Sequence, residues 1–309
     1  MDKENLFTLW LCIGHEEKPS PLHPVLIMGF NPAFPSQYQP TDNANTFLIV
    51  DDIGQLSNQS DTITNLNYPQ SLRGKYILLH SGDDIFTGTS FNSPGWDNIA
   101  NGNRGVDNLI GSLFSRDFLR GGREADFISG TDGGDDFLLG DAEDDTVFAS
   151  VAGNNILRGG QGSDSLNGAN GIDLLIGDFG VDFLFGGLNK DYFVLRTDSN
   201  GDLNNLSGST NDIDTITDFN IADDYILLPG ISTLNEVKLE AVPGTANDYY
   251  VGIIQQDFSV LYAGRVNSDG IVVPERDIIV GDKATTAYNA ADGNDPTSFL
   301  NNPNIFDVA

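Results

Sequence analysis

From Gly159 to Val194 the chain reads as four nine-residue units, GGQGSDSLN, GANGIDLLI, GDFGVDFLF and GGLNKDYFV, each with Asp in the sixth place and an apolar residue in the eighth. A fixed period constrains the fold more than any single residue, because every unit must occupy an equivalent place beside its neighbours. Traced backward in steps of mostly nine or ten, the sixth place falls on Asp84, Asp97, Asp107, Asp117, Asp126, Asp136, Asp145, Asn155, Asp164, Asp173, Asp182 and Asp191. Two residues after each stands Phe86, Ile99, Leu109, Leu119, Ile128, Leu138, Val147, Leu157, Leu166, Leu175, Leu184 or Phe193. A disordered low-complexity segment has no reason to hold apolar residues in such register.

Glycine serves a turn where φ is positive or the backbone is crowded. A strand of three or four residues points one side chain inward, and the eighth-place residue is predicted to be that anchor. If two units make one coil, sixth-place residues two units apart stack on one edge: Asp145 over Asp164 over Asp182, and opposite them Asn155 over Asp173 over Asp191. Unit charges stacked at about 4 Å repel by roughly 4 kcal/mol at an effective dielectric near 20. Calcium removes that repulsion, since it takes six to eight oxygen ligands at about 2.3–2.6 Å from carboxylates and carbonyls alike.

The pattern resembles the RTX nonapeptide repeat, GGxGxDxUx with U a large aliphatic residue, over Ser81 to Val194. The resemblance implies an all-β protein, a right-handed parallel β-roll or solenoid with two nonapeptides per coil, flanked by small β-rich capping modules. It implies several calcium ions as cofactors. The residues it points to are Asp126, Asp136, Asp145, Asn155, Gly160, Gly162, Asp164, Gly171, Asp173, Gly180, Asp182 and Asp191. Sites are expected to be best between Asp145 and Asp191, because earlier units such as SLFSRDFLR have lost their glycines.

The flanks resemble each other. NTFLIVDD and DTITNLNYPQSLRGKYILL lie upstream, and DIDTITDFNIADDYILLPG lies downstream; both contain DTIT and YILL, which reads as an internal duplication. The downstream copy is similar to the segment that closes serralysin-like RTX rolls. The expected organisation is a Pro-rich extended lead-in at 1–44, a capping unit at 45–80, the roll at 81–194, a second capping module with an antiparallel appendage at 195–283, and a polar tail at 284–309. The ending NIFDVA resembles the C-terminal signal of type I secretion substrates.

Composition narrows the partners. Lys and Arg number 15 against 45 Asp and Glu, a formal charge of −30, and 37 of those acids are Asp. That balance argues against nucleic acid, and Asp with 35 Gly favours turns over helices. The single Cys12 excludes a disulfide scaffold, and the run LFTLWLCI is too short to span a membrane. Catalysis finds no motif: His15, His23 and His80 form no HExxH, and no GxSxG elbow occurs. The expected function is therefore that of a non-enzymatic, extracellular or cell-surface calcium-binding protein, exported by type I secretion machinery and folding on calcium. Its role is read as structural, surface-layer or adhesive. The alternative is a roll-bearing enzyme or carbohydrate-binding module, with polysaccharide or a second copy of the chain as partner.

Overall fold

The computed structural model describes residues 48–50, 53–55, 59–63, 76–90, 96–195 and 207–289. The lead-in at 1–44, with Cys12, His15 and His23, and the ending NIFDVA lie outside the described residues.

The chain is a parallel β-solenoid whose alternate units feed two eleven-stranded sheets. Sheet I runs through β1 (Leu48–Val50), β2 (Ile53–Gln55), β4 (Tyr76–Leu78), β6 (Trp96–Arg104), β8 (Arg116–Arg123), β10 (Phe137–Ala142), β12 (Ile156–Gly162), β14 (Leu174–Gly180), β16 (Tyr192–Val194), β18 (Tyr225–Leu228) and β22 (Ile278–Val280). Sheet II begins at β3 (Thr62–Ile63) and continues through β5 (Ile85–Thr87), β7 (Asn108–Ile110), β9 (Phe127–Ser129), β11 (Thr146–Phe148), β13 (Ser165–Asn167), β15 (Phe183–Phe185) and β17 (Asp214–Phe219). It ends in β21 (Val260–Ser268), β20 (Asp248–Ile254) and β19 (Val237–Ala241).

One inward residue per strand fills the space between the sheets. Leu109, Leu119, Ile128, Leu138, Val147, Leu157, Leu166, Leu175, Leu184 and Phe193 belong to one buried cluster. Each contributes about 1.5–3 kcal/mol through the apolar area withdrawn from water. Strands this short suffice because each strand from β5 to β16 is paired on both sides with a parallel copy, as in Leu157 between Leu138 and Leu175.

The parallel ladder does not stop at Ser81 and Val194. Upstream, β3 pairs with β5 and β4 with β6; downstream, β17 pairs with β15 and β18 with β16. The duplicated DTIT and YILL segments thus occupy the same pair of places, one strand in each sheet, on either side of the repeats. The 237–280 region is antiparallel within β19, β20 and β21, but β21 also joins β17 in parallel and β22 joins β18.

Two sequence readings need correction. After a single helical turn, α1 (Pro274–Asp277), the polar tail expected from residue 284 begins as a helix, α2 (Asp282–Asn289), because Ala284 and Ala287, one turn apart, are fully buried against sheet I. The register also slips by one in the second repeat. An irregularity between Trp96 and Asn98 pairs Asn98 with Asp117 and Ala100 with Leu119, so Asn98 and Ala100 hold the sixth and eighth places rather than Asp97 and Ile99.

Candidate metal centre

From Asp84 to Asp214 each sixth-place carboxylate except Asp117, whose Oδ2 accepts the Ser112 amide, uses one oxygen in the fold and leaves the other without a partner. One oxygen, Oδ1, accepts the backbone N–H of the sixth-place residue one coil earlier. On the sheet II edge Asp84 donates to Asp107, Asp107 to Asp126, Asp126 to Asp145, Asp145 to Asp164 and Asp164 to Asp182, all at 2.8 Å. On the opposite edge Asp136 donates to Asn155, Asn155 to Asp173 and Asp173 to Asp191, at 2.7–3.0 Å. The stacking of Asp145, Asp164 and Asp182, and of Asn155, Asp173 and Asp191, is therefore a chain of side-chain to main-chain bonds. The carboxylates are not simply opposed charges, because each also satisfies a buried amide.

The second oxygen has no partner. Oδ2 of Asp84, Asp107, Asp126, Asp136, Asp145, Asp164, Asp173, Asp182, Asp191 and Asp214 is buried and makes no hydrogen bond. A buried acceptor left unsatisfied costs free energy, more so when it carries charge. Burial is accordingly the first cause that raises these groups. It lifts Asp126, Asp164 and Asp182 to about 8, Asp145 to about 9 and Asp191 to about 10, against the amide bonds that pull downward. Asp136 and Asp173 are raised well above the ordinary value for the same reason.

Glycine makes room for that oxygen. A Cβ at Gly140, Gly159 or Gly177 would lie 2.1–2.2 Å from Oδ2 of Asp145, Asp164 or Asp182. At Gly140 the carbonyl oxygen of Gly159 approaches the same point to 2.7 Å, and at Gly168 the Gly186 carbonyl comes to 2.5 Å with Asp173 Oδ2 at 2.9 Å. An unpaired carboxylate oxygen and a main-chain carbonyl from the next coil thus converge where no side chain stands. Gly160, Gly162, Gly171 and Gly180 have a different task. They hold φ between +124° and +148° and lie against carbonyls of the preceding coil, Gly171 on Gly153 and Gly180 on Gly162.

This donor set suits a hard cation: oxygens only, carboxylate plus carbonyl, repeated at each coil. Among the described residues no three Asp, Glu, His or Cys side chains gather at one point. Main-chain carbonyls would have to complete any coordination shell.

A family model described as the RTX calcium-binding nonapeptide repeat matches five overlapping stretches, 114–147, 130–166, 139–175, 150–184 and 158–193. Residues 114–193 are thus made of RTX-type repeats. Comparison with curated proteins returned no match. The matched repeats supply the strands from β8 to β16, whose fold is the calcium-binding β-roll.

The RTX reading and the geometry differ in detail. Asn155 has no spare atom: its Oδ1 accepts from the Asp136 amide and Ser150, and its Nδ2 donates to Asp173 and Gly153. Asp84 and Asp107, in earlier repeats, carry the same unpaired Oδ2 as the later ones. Sequence reasoning missed Asp61, Asp214 and Asp224, which continue the two edges through Asp61 to Asp84, Asp182 to Asp214 and Asp191 to Asp224. A signal was available, since Asp61/Ile63, Asp214/Ile216 and Asp224/Ile226 all keep the sixth-to-eighth spacing. It also missed the first-place glycines Gly140, Gly159, Gly168, Gly177 and Gly186, which border the free oxygens.

Proposed function

We propose that this chain is a secreted calcium-binding β-roll protein that winds on meeting calcium outside the cell and serves a structural, surface-layer or adhesive role. The observation that carries the reading is the row of buried, unpartnered Oδ2 atoms beside glycine, which an oxygen-seeking cation satisfies and water does not reach. Asp126, Asp136, Asp145, Asp164, Asp173, Asp182 and Asp191 are the proposed carboxylate ligands. Gly160, Gly162, Gly171 and Gly180 let the coils approach closely, and carbonyls of the turns supply further oxygens. Asn155 enters as a spacer that holds Asp173. When bound, calcium supplies the positive charge that lets these carboxylates stay ionised while buried.

The charge of −30 keeps the chain soluble and expanded where calcium is scarce, which suits export before folding. Among the described residues no helix is long and apolar enough to cross a membrane. The outer ladder ends in antiparallel pairs, β1 with β2 and β19 with β20, which we assign as caps on the sheet edges.

The test is calorimetric titration of the full chain with calcium, followed in parallel by circular dichroism. Winding coupled to binding of several ions supports the reading. A chain of equal β-content and melting temperature in calcium and in chelator sinks it. A second reading, a carbohydrate-binding module, is favoured by exposed aromatic rings on one face of the roll.

A further inference from the structure

The outward residues of sheet II form an unusual strip for so acidic a chain. Six consecutive strands, β5, β7, β9, β11, β13 and β15, each point two side chains away from the core, and none of these carries a charge. Half are apolar and half carry a hydroxyl or amide. The turns that precede them expose acids, Asp83, Glu124, Glu143 and Asp144, whereas the turns that follow them expose Leu113, Phe114, Val151 and Leu188 beside Asp132.

Within the strip the aromatic rings collect at two places. Phe127 on β9 and Phe148 on β11 stand 5.7 Å apart between ring centroids, tilted by 44°. Phe183 and Phe185 flank the inward Leu184 on β15 and are 54% and 42% exposed. Between the two aromatic positions lies β13, which offers Ser165 and Asn167. Neighbouring strands are about 4.8 Å apart, so β11 and β15 are separated by roughly 10 Å along the roll axis.

We infer that this strip binds an extended, uncharged polysaccharide lying along the roll axis, its sugar rings stacked on the two phenylalanine pairs and its hydroxyls facing Ser165 and Asn167. Three features favour that occupant. A neutral strip with an acidic rim on its strand-entry side discourages a polyanion, and the strip itself offers no ion-pairing group to a cation. Aromatic faces spaced by polar side chains suit a ligand with apolar ring faces and hydroxyl edges. The strip is also narrow: about 25 Å by about 10 Å on strand dimensions, or roughly 250 Å², well short of the ~800 Å² per partner of a stable protein interface. The strip by itself is therefore too small to hold a second copy of the chain.

The inference rests on the proposed function only in requiring wound coils. Its test is affinity electrophoresis of the calcium-loaded full chain through gels containing hydroxyethyl cellulose, laminarin or galactomannan, with alginate as the anionic comparison. Retardation by at least one neutral glycan is expected, weakened about tenfold in Phe183→Ser/Phe185→Ser and again in Phe127→Ser/Phe148→Ser. Circular dichroism checks that each variant remains wound. A wound, calcium-loaded chain that ignores all three neutral glycans overturns the inference, as does equal retardation of the variants or retention by alginate alone. So does a dimer in sedimentation that the Phe→Ser changes dissolve, which would assign the strip to self-association. Failure of the chain to wind in calcium counts instead against the calcium reading.

Discussion

On sheet I, Phe137, Ile156, Leu174, Ile176, Tyr192 and Val194 point away from the interior of the roll, yet each is almost or fully buried. On sheet II the equivalent outward positions carry Thr146, Ser165, Asn167, Phe183 and Phe185 and meet solvent. The two sheets share one core and one backbone geometry, so the difference lies in alternate repeats alone. Sheet I is buried on both faces, as parallel sheets generally are, with α2 packed on β18 and β22. Its helix is fixed by a polar cluster: Arg158 pairs with Asp178, the Tyr288 hydroxyl lies 3.2 Å from both, and the Arg158 guanidinium stands 5.4 Å over the Tyr288 ring. A two-sheet solenoid can thus devote one face to stability and leave the other free to meet a ligand.

The comparison presupposes wound coils, and the largest expected effect removes them from both faces at once. The raised carboxyls bind protons more tightly folded than unfolded. Their stabilisation is complete below the ordinary carboxyl range near 4 and is lost as pH rises through about 8 for Asp126, Asp164 and Asp182 and about 9 for Asp145. In chelator, thermal melts should therefore show stability falling from pH 5 to pH 9, and calcium should flatten that fall by taking the proton's place. A melting temperature that climbs with pH in chelator would refute the account of the edges.

Next in size is a direct contrast between the faces. Ile156→Asp places an unpaired charge in the outer core of sheet I and should cost about 3–5 kcal/mol in urea unfolding. Ser165→Asp, at an exposed site on sheet II, should stay within about 0.5 kcal/mol. Equal costs would mean that the faces do not differ as described. Gly159→Ala should cost about 1–3 kcal/mol through overpacking against Asp164, and calorimetry should register weaker calcium binding. A smaller loss than that of Gly159→Ala is expected of Tyr288→Phe, about 0.5–1.5 kcal/mol from one lost hydroxyl. Hydrogen exchange should show faster opening of α2 with the strands of sheet II unchanged.

Much of this was legible because the roll obeys a rule of spacing. The sixth-place Asp and eighth-place apolar residue identify both edges and the core from Asp107 to Phe193. The slip at Asn98 was not legible, since Asp97 and Ile99 satisfy the same spacing and only the paired strand decides between them. The coils around Asp61, Asp214 and Asp224 were read as separate modules because longer connections interrupt the period, although the local pattern persists. The contrast between faces was in the sequence too, as FLL, ILR, LLI and YFV alternating with TVF, SLN and FLF. It emerges only when the places beside the eighth are compared between alternate units. The half-used carboxylates were beyond reach, because which oxygen meets an amide depends on the coil above.

The bonds from main chain to sixth-place side chain all run the same way along each edge, every sixth-place amide reaching toward the side chain of the later coil. The stack therefore has a polarity. Cut it after any coil, and the fragment nearer the N-terminus ends in unpaired sixth-place amides and carbonyls, while the other begins with the carboxylates and strand amides that met them. Such surfaces are mates for one another, so rolls stripped of their closing strands would tend to join head to tail into filaments. Among the described strands, the antiparallel pairs β1 with β2 and β19 with β20 are where the stack departs from that pattern.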